Sequence, residues 1–138
     1  MRVLLDTHVW LWMQAEPGRL ARRVRALLED PANDLVLSAA SSWEIVIKWA
    51  IGRLELPEPP GAFVEARMMA TGVTPLAITH SHALRVADLP DHHRDPFDRI
   101  LIAQAQVESL PILSSDDQLA PYEVELLWAA PRRPRRRH

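Results

Sequence analysis

The sequence predicts one α/β domain with a central parallel sheet that helices cover on both faces. Short apolar runs, such as those at residues 3–5 and 35–37, alternate along the chain with longer amphipathic segments. Strands that are buried on both faces read as continuous apolar runs, and their alternation with helices is typical of a parallel sheet. Of the 138 residues, 48% are hydrophobic, which is enough for one sizeable core.

Capping and chain-breaking residues set the bounds of the predicted elements. The predicted strands cover residues 3–5, 35–37, 73–76, 111–113 and 124–128. The predicted helices cover residues 9–13, 19–28, 41–51, 62–70, 80–87 and 97–108. Pro17 breaks the first helix, Gly52 closes the third and Thr79 caps the fifth. Pro111 begins a strand, where its missing N–H matters least. The proline-rich residues 56–61 are expected to form a loop within the same domain.

Composition excludes several classes of protein. The chain has no cysteine, so it has no disulfide, no thiolate nucleophile and no Cys-ligated zinc. No window approaches the roughly 18 apolar residues of a membrane span, and Asp6 comes too early for a secretory signal. The sequence therefore predicts a soluble cytoplasmic protein that does not associate with membranes.

The net charge of −2 conceals an uneven distribution of charge. Five of the 16 basic residues are arginines of the last seven positions, and without them 11 basic residues face 18 acidic ones, a balance of about −7. We expect one domain over residues 1–130 and a disordered Arg-rich tail over 131–138, which either binds phosphate groups by charge or is merely solvated. An acidic body suits a site that gathers carboxylates around a cation.

Four acidic residues are expected near one edge of the sheet, where ligands of open parallel sheets bind. Asp6 follows the first strand, Glu44 begins the helix after the second, and Asp116 follows the fourth. Asp98 is the third residue of a helix that starts at Pro96. Taken singly, Glu44, Asp98 and Asp116 are each better explained as stabilising a helix N-terminus, an effect worth about 0.3–1 kcal/mol. Ser41 to Glu44 matches a capping box with Ser41 as the N-cap and Glu44 as the third helical residue, and Asp95 is the predicted N-cap of the helix that contains Asp98. Asp6 follows an apolar strand without an obvious basic partner, so we expect it to be half-buried.

Carboxylates that converge repel one another, and a bound divalent cation usually offsets this repulsion and the cost of burying them. Oxygen ligands alone favour Mg²⁺ or Mn²⁺, and Mg²⁺ typically takes one or two carboxylates, several waters and a substrate phosphate. Such a site hydrolyses phosphodiesters by orienting a water and neutralising charge in the transition state. The four residues together therefore predict metal-dependent phosphodiester hydrolysis.

Four motifs occur in the order found in one known family. They are Leu4-Leu5-Asp6-Thr7-His8, Ser38 with Glu44, Asp95-Pro96-Phe97-Asp98-Arg99, and Leu113-Ser114-Ser115-Asp116. Over residues 1–128 the chain resembles the PIN domain ribonucleases, in particular the VapC-like toxins of bacterial toxin–antitoxin pairs.

That resemblance implies a three-layer αβα sandwich and an endoribonuclease that uses Mg²⁺ or Mn²⁺. It implies that Asp6, Glu44, Asp98 and Asp116 form the acidic quartet that binds the metal and catalyses cleavage. A homodimer, an RNA substrate and a cognate antitoxin that blocks the site are the implied partners.

Neighbours of the quartet have two interpretations each. The hydroxyls of Thr7 and Ser114 either orient a carboxylate or a metal-bound water, or cap a helix. Asp117 either assists the metal or is a solvated neighbour, and Arg99 either contacts a phosphate or forms a surface salt bridge. The adjacent His92 and His93 are expected to diverge in a polar loop.

Tryptophans flank the predicted strand ends, at Trp10, Trp12, Trp43 and Trp49. We expect them in the core or in a dimer interface, with stacking on a base as the alternative for one of them.

Other classes of protein remain as alternatives. An aspartyl phosphatase would need an acid two residues after Asp6, where the chain has His8, and no P-loop is present. A catalytically inactive PIN-like binding domain and a housekeeping RNA-processing nuclease stay open.

Overall fold

The computed structural model of the protein describes residues 1–130. Within that range the strands are β1 (Arg2–Leu5), β2 (Asp34–Ser38), β3 (Val73–Leu76), β4 (Ile112–Ser114) and β5 (Leu126–Trp128). The helices are α1 (Thr7–Ala15), α2 (Arg22–Glu29), α3 (Ala39–Ala50), α4 (Pro60–Thr71), α5 (His80–Arg85) and α6 (Pro96–Glu108). Short 3-10 turns cover Pro17–Arg19, Val86–Asp88 and Asp117–Leu119. The tail predicted at residues 131–138 lies outside the described residues.

All pairings in the sheet are parallel, and the strand order is β3-β2-β1-β4-β5. The central strand β1 pairs on both sides, so that Leu4 lies between Val36 of β2 and Ile112 of β4. The two edges are β3, which contains Pro75, and β5, which has three residues. Because the strands are parallel, their carboxyl ends share one side of the molecule.

Side chains of β1 alternate between two separate cores. Val3 and Leu5 face one core, which α1 to α4 cover with residues such as Trp10 and Ile45. Leu4 faces the other, which α6 covers with residues such as Ile102. This period of two is the ordinary geometry of a strand, and it produces three layers. The predicted α/β sandwich with a parallel sheet is confirmed.

Helix α3 begins earlier than the sequence predicted. The expected cap at Ser41 is wrong: Ser38, the last residue of β2, is the N-cap, and its Oγ accepts a hydrogen bond from the Ala40 N–H at 3.0 Å. Two alanines, the best helix formers, allow the helix to start directly after the strand. Glu44 is therefore the sixth residue of the helix rather than the third.

The other predicted bounds differ by a few residues at element ends. Helix α4 begins at Pro60, inside the predicted proline-rich loop, because proline suits the first position of a helix. Of the tryptophans, Trp10 belongs to the core, whereas Trp43 and Trp49 are 62% and 40% exposed. Among the described residues, no helix has the length and apolar character needed to cross a membrane.

The central strand should dominate stability. Leu4→Ala removes a fully buried side chain between two paired strands, and we expect it to lower the free energy of unfolding by about 2–5 kcal/mol. Leu84→Ala, at a leucine that is 70% exposed, is the matched control and should change it by less than about 0.5 kcal/mol. Urea unfolding measures both, and equal effects would contradict the assignment of the core.

Candidate active site

Asp6 lies directly after β1 and is more buried than predicted, with 4% of its surface exposed. The backbone N–H of Asp6 donates to the Leu113 carbonyl at 3.0 Å, which extends the pairing of β1 with β4. The buried Ser114 hydroxyl donates to Asp6 Oδ2 at 2.6 Å and accepts from the Asp116 N–H at 3.0 Å. Ser114 thus links the Asp6 carboxylate to the backbone of a second acidic residue.

Glu44 projects from α3, where it is almost fully buried. Lys48, one turn later on the same helix, donates to Glu44 Oε2 at 3.0 Å. Thr7, at the start of α1, donates its hydroxyl hydrogen to Ser41 Oγ at 2.8 Å. Through this buried bond Thr7 holds the first turn of α3 against α1, one turn before Glu44.

Asp98 and Asp116 both lie at the beginning of helical turns. Asp95 is the N-cap of α6 and accepts hydrogen bonds from the N–H groups of Phe97 and Asp98, as predicted. Asp116 caps the turn Asp117–Leu119 by accepting from the Gln118 N–H at 2.9 Å. Asp117, the first residue of that turn, is exposed.

The four carboxylates influence one another electrostatically. Burial raises the pKa of Asp6, an effect that the Ser114 hydrogen bond and His8 oppose and that Asp116 and Glu44 reinforce. Burial, with repulsion from the acids Asp95, Asp6, Asp116 and Glu44, raises the pKa of Asp98 from 3.8 to about 8. Both shifts indicate that the site disfavours the ionised form of these carboxyls, because nearby positive charge does not offset their burial.

Residues 1–130 contain no ready-made cluster of three or more acidic or histidine side chains that would hold an ion unaided. The electrostatic influence that the four carboxylates have on one another acts over longer distances than metal ligation does. That arrangement fits Mg²⁺, which keeps several waters and needs only one or two carboxylates together with a substrate phosphate. The donors are all carboxylate oxygens, which suits the same class of cation.

His93 is the residue that the sequence reasoning missed. His92 and His93 were expected to diverge, and this is wrong, because both rings pack edge-to-face on Tyr122 at 4.9 and 5.3 Å. His93 Nε2 lies 3.2 Å from Asp98 Oδ2, and its Nδ1 lies 2.7 Å from the Tyr122 hydroxyl. A proton on either His93 Nε2 or the Asp98 carboxyl makes this hydrogen bond, and the Tyr122 hydroxyl bonds the other ring nitrogen. His93 thereby orients the Asp98 carboxylate.

Arg99 holds the loop that carries His93. Its guanidinium donates at 2.9 to 3.4 Å to the Tyr122 hydroxyl and to the carbonyl oxygens of Val86, Leu89, Pro90 and His93. These bonds favour a structural part for Arg99 over the phosphate contact considered from sequence. The sequence alone could not distinguish the structural role from the phosphate contact, because an arginine that follows an acidic residue is compatible with both.

The PIN domain family profile matches residues 3–124. Ribonuclease VapC22 of Mycobacterium tuberculosis is 31% identical over 118 residues, which cover 85% of this chain and 88% of that protein. Ribonuclease VapC16 of the same organism is 45% identical over 58 residues, and the match spans only 42% of this chain and 41% of that protein.

A solved structure shares the fold at low sequence identity. The crystal structure of VapBC2 from Rickettsia felis bound to a DNA fragment from their promoter superposes with a TM-score of 0.70 at 10% identity, covering 92% of this chain and 98% of that one. The fold and the extent of the family match define a PIN domain, and the chain belongs to the PIN domain family. Its relatives include the VapC ribonucleases, which confirms the resemblance inferred from the motifs.

The raised pKa of Asp98 predicts a pH-dependent stability of the metal-free protein. Between pH about 4 and about 8 the folded state retains a proton that the unfolded state releases. The free energy of unfolding should therefore fall as pH rises through this window and level off above it. In EDTA, the protein should melt at a higher temperature at pH 6 than at pH 8, and Asp98→Asn should reduce that difference.

Asp88→Asn, a substitution of an exposed aspartate, is the matched control and should leave the pH response intact. An Asp98→Asn protein with the wild-type pH response would contradict the electrostatic description of the site.

Proposed function

We propose that the protein is a metal-dependent endoribonuclease that hydrolyses RNA phosphodiester bonds. The observation that carries the proposal is the acidic quartet Asp6, Glu44, Asp98 and Asp116 near the carboxyl ends of the strands, where burial, reinforced by repulsion between the acids, raises the pKa of Asp6 and Asp98. The membership of the chain in the PIN domain family and its VapC ribonuclease relatives support this assignment. Mg²⁺ or Mn²⁺ is the proposed cofactor.

In the proposed mechanism, the acidic residues bind the metal ion, and neighbouring residues hold the carboxylates in position. Asp6, Asp98 and Asp116 would hold the cation, with Glu44 at its side, and the bound cation would orient a water and neutralise charge on the scissile phosphate. Ser114 fixes the Asp6 carboxylate through a 2.6 Å hydrogen bond, and His93 fixes that of Asp98. Rigid carboxylates need no reorganisation when charge develops in the transition state.

The biological role that we propose is that of the toxin in a toxin–antitoxin pair. The overlap with VapC22 over most of both chains and the fold shared with VapBC2 favour it. The proposed partners are a cognate antitoxin, an RNA substrate and a second copy of the chain. An antitoxin would block the site by inserting a basic side chain among the four carboxylates, where it replaces the cation electrostatically.

Two substitutions of carboxylate by amide test the metal-dependent activity. Asp6→Asn retains an oxygen that accepts from Ser114 but removes the charge, so the protein should fold and cleave RNA orders of magnitude more slowly. Asp88→Asn, at an exposed position, should cleave normally. EDTA should abolish wild-type cleavage, and Mg²⁺ or Mn²⁺ should restore it. Undiminished cleavage in chelator, or by folded Asp6→Asn, would overturn the proposal.

The toxin role predicts growth arrest that depends on catalysis. Expression of the wild-type protein should arrest bacterial growth, whereas the Asp6→Asn protein should not. Co-expression of the adjacent gene should restore growth, and inhibition in vitro should weaken at high salt because salt screens the attraction between the basic side chain and the acidic site. A harmless wild-type protein with cleavage unaffected by the neighbouring product would leave a housekeeping ribonuclease as the function. A folded protein that cleaves no RNA would indicate the inactive binding domain.

A further inference from the structure

A cleft of about 270 Å³ lies between the second half of α3 and the beginning of α6. Glu44 lines it and belongs to the acidic quartet, so the cleft opens directly beside the candidate active site. Two cations, Lys48 and Arg53, and the aromatic ring of Phe97 line it as well. The remaining lining residues are the acid Asp95 and the apolar Ile47, Ile51 and Pro96. This combination of an aromatic ring with two cations differs from the carboxylates of the site itself.

Phe97, a half-buried residue of the cleft wall, pairs with an exposed tryptophan that lies outside the cleft lining. The rings of Trp43 and Phe97 meet edge-to-face with centroids 5.5 Å apart, and Trp43 is 62% exposed. Trp10 forms a similar pair with Phe63 at 6.1 Å but is completely buried in the core. Trp43 therefore retains most of its surface for contact with another molecule, next in sequence to Glu44.

Arg53, the second cation of the cleft, lies just after the end of α3. Gly52 adopts the left-handed conformation with φ of +76°, which favours glycine. The chain then reverses so that the Arg53 N–H donates to the Lys48 carbonyl at 2.8 Å, closing the helix in a Schellman motif. Among residues 1–130 the Arg53 side chain forms no ion pair, while Lys48 is paired with Glu44. Arg53 thus presents a positive charge to the cleft.

We propose that this cleft is a nucleotide subsite that holds single-stranded RNA next to the scissile phosphate. The base stacks on the Trp43–Phe97 pair, and a phosphate contacts Arg53 and Lys48. Aromatic faces bind any base, and cations bind the phosphate backbone. The inference rests on the proposed ribonuclease function and deepens it, because it states where the chain binds the substrate beside the reacting phosphate. Continuity with Glu44 favours RNA over a protein partner at this surface.

Binding without cleavage tests the subsite. We would measure the affinity of a fluorescein-labelled, single-stranded RNA pool of random sequence by anisotropy, with all variants in an Asp6→Asn background with Mg²⁺. Trp43→Ala should weaken binding about fivefold or more, with the dependence on salt unchanged. Trp43→Phe, which retains an aromatic face, should recover most of the affinity. Trp49→Ala removes another exposed tryptophan of α3 and should bind as the background does.

Arg53→Ala should weaken binding and reduce the slope of log affinity against log salt by about one. Arg22→Ala, at an exposed arginine of α2, should affect binding less. Circular dichroism confirms that each variant is folded.

Two results would overturn the subsite. In one, Trp43→Ala binds RNA with unchanged affinity; in the other, it alters only the oligomeric state in sedimentation, which would make this surface a protein interface. A cleavage assay on proteins that retain Asp6 distinguishes failure of the subsite from failure of the proposed ribonuclease function. If Trp43→Ala and wild type cleave RNA equally, the subsite fails and the nuclease stands, whereas a wild type that neither binds nor cleaves removes both.

Discussion

The hydrogen bond from Ser114 to Asp6 is the contact on which the candidate site depends. It joins the end of the central strand β1 to the end of its neighbour β4 through side chains that are both buried. A carboxylate in such a place loses its hydration, and one short hydrogen bond replaces only part of it. The sheet therefore holds an incompletely compensated acid at its centre, and the surrounding acids increase that imbalance rather than relieve it.

The N-caps of α3 and α6 determine which side chains of these two helices face Asp6. Ser38 starts α3 and Asp95 starts α6, so the phase of each helix is set at its first residue. With 3.6 residues in a turn, a shift of one residue would rotate every side chain by about 100°. The directions of Glu44 and Asp98 consequently depend on caps that lie six and three positions earlier in the chain, and not only on their own chemistry.

The parts of this arrangement that local sequence determines were predictable. Apolar runs located the five strands, the acids that follow them indicated a candidate site, and Asp95 followed by Pro96 was correctly interpreted as the start of α6. The association of His93 with Tyr122 joins residues 29 positions apart, and no periodicity records such a contact. Exposure of Trp43 was likewise not predictable, because a tryptophan on an amphipathic helix fits the core equally well. The start of α3 was misjudged because two serines competed as caps.

The edges of the sheet restrict how this molecule can associate with others. Proteins commonly protect an open edge with a proline or with a very short strand, since a long unpaired edge invites another chain to extend the sheet. Here β3 carries Pro75, which has no N–H to offer, and β5 exposes a ladder of three residues. Continuous sheets across two copies are thus disfavoured, and so is edge-driven aggregation. Stable association with another chain is therefore expected at the outer surfaces of the helices, where side chains rather than backbone groups make the contacts.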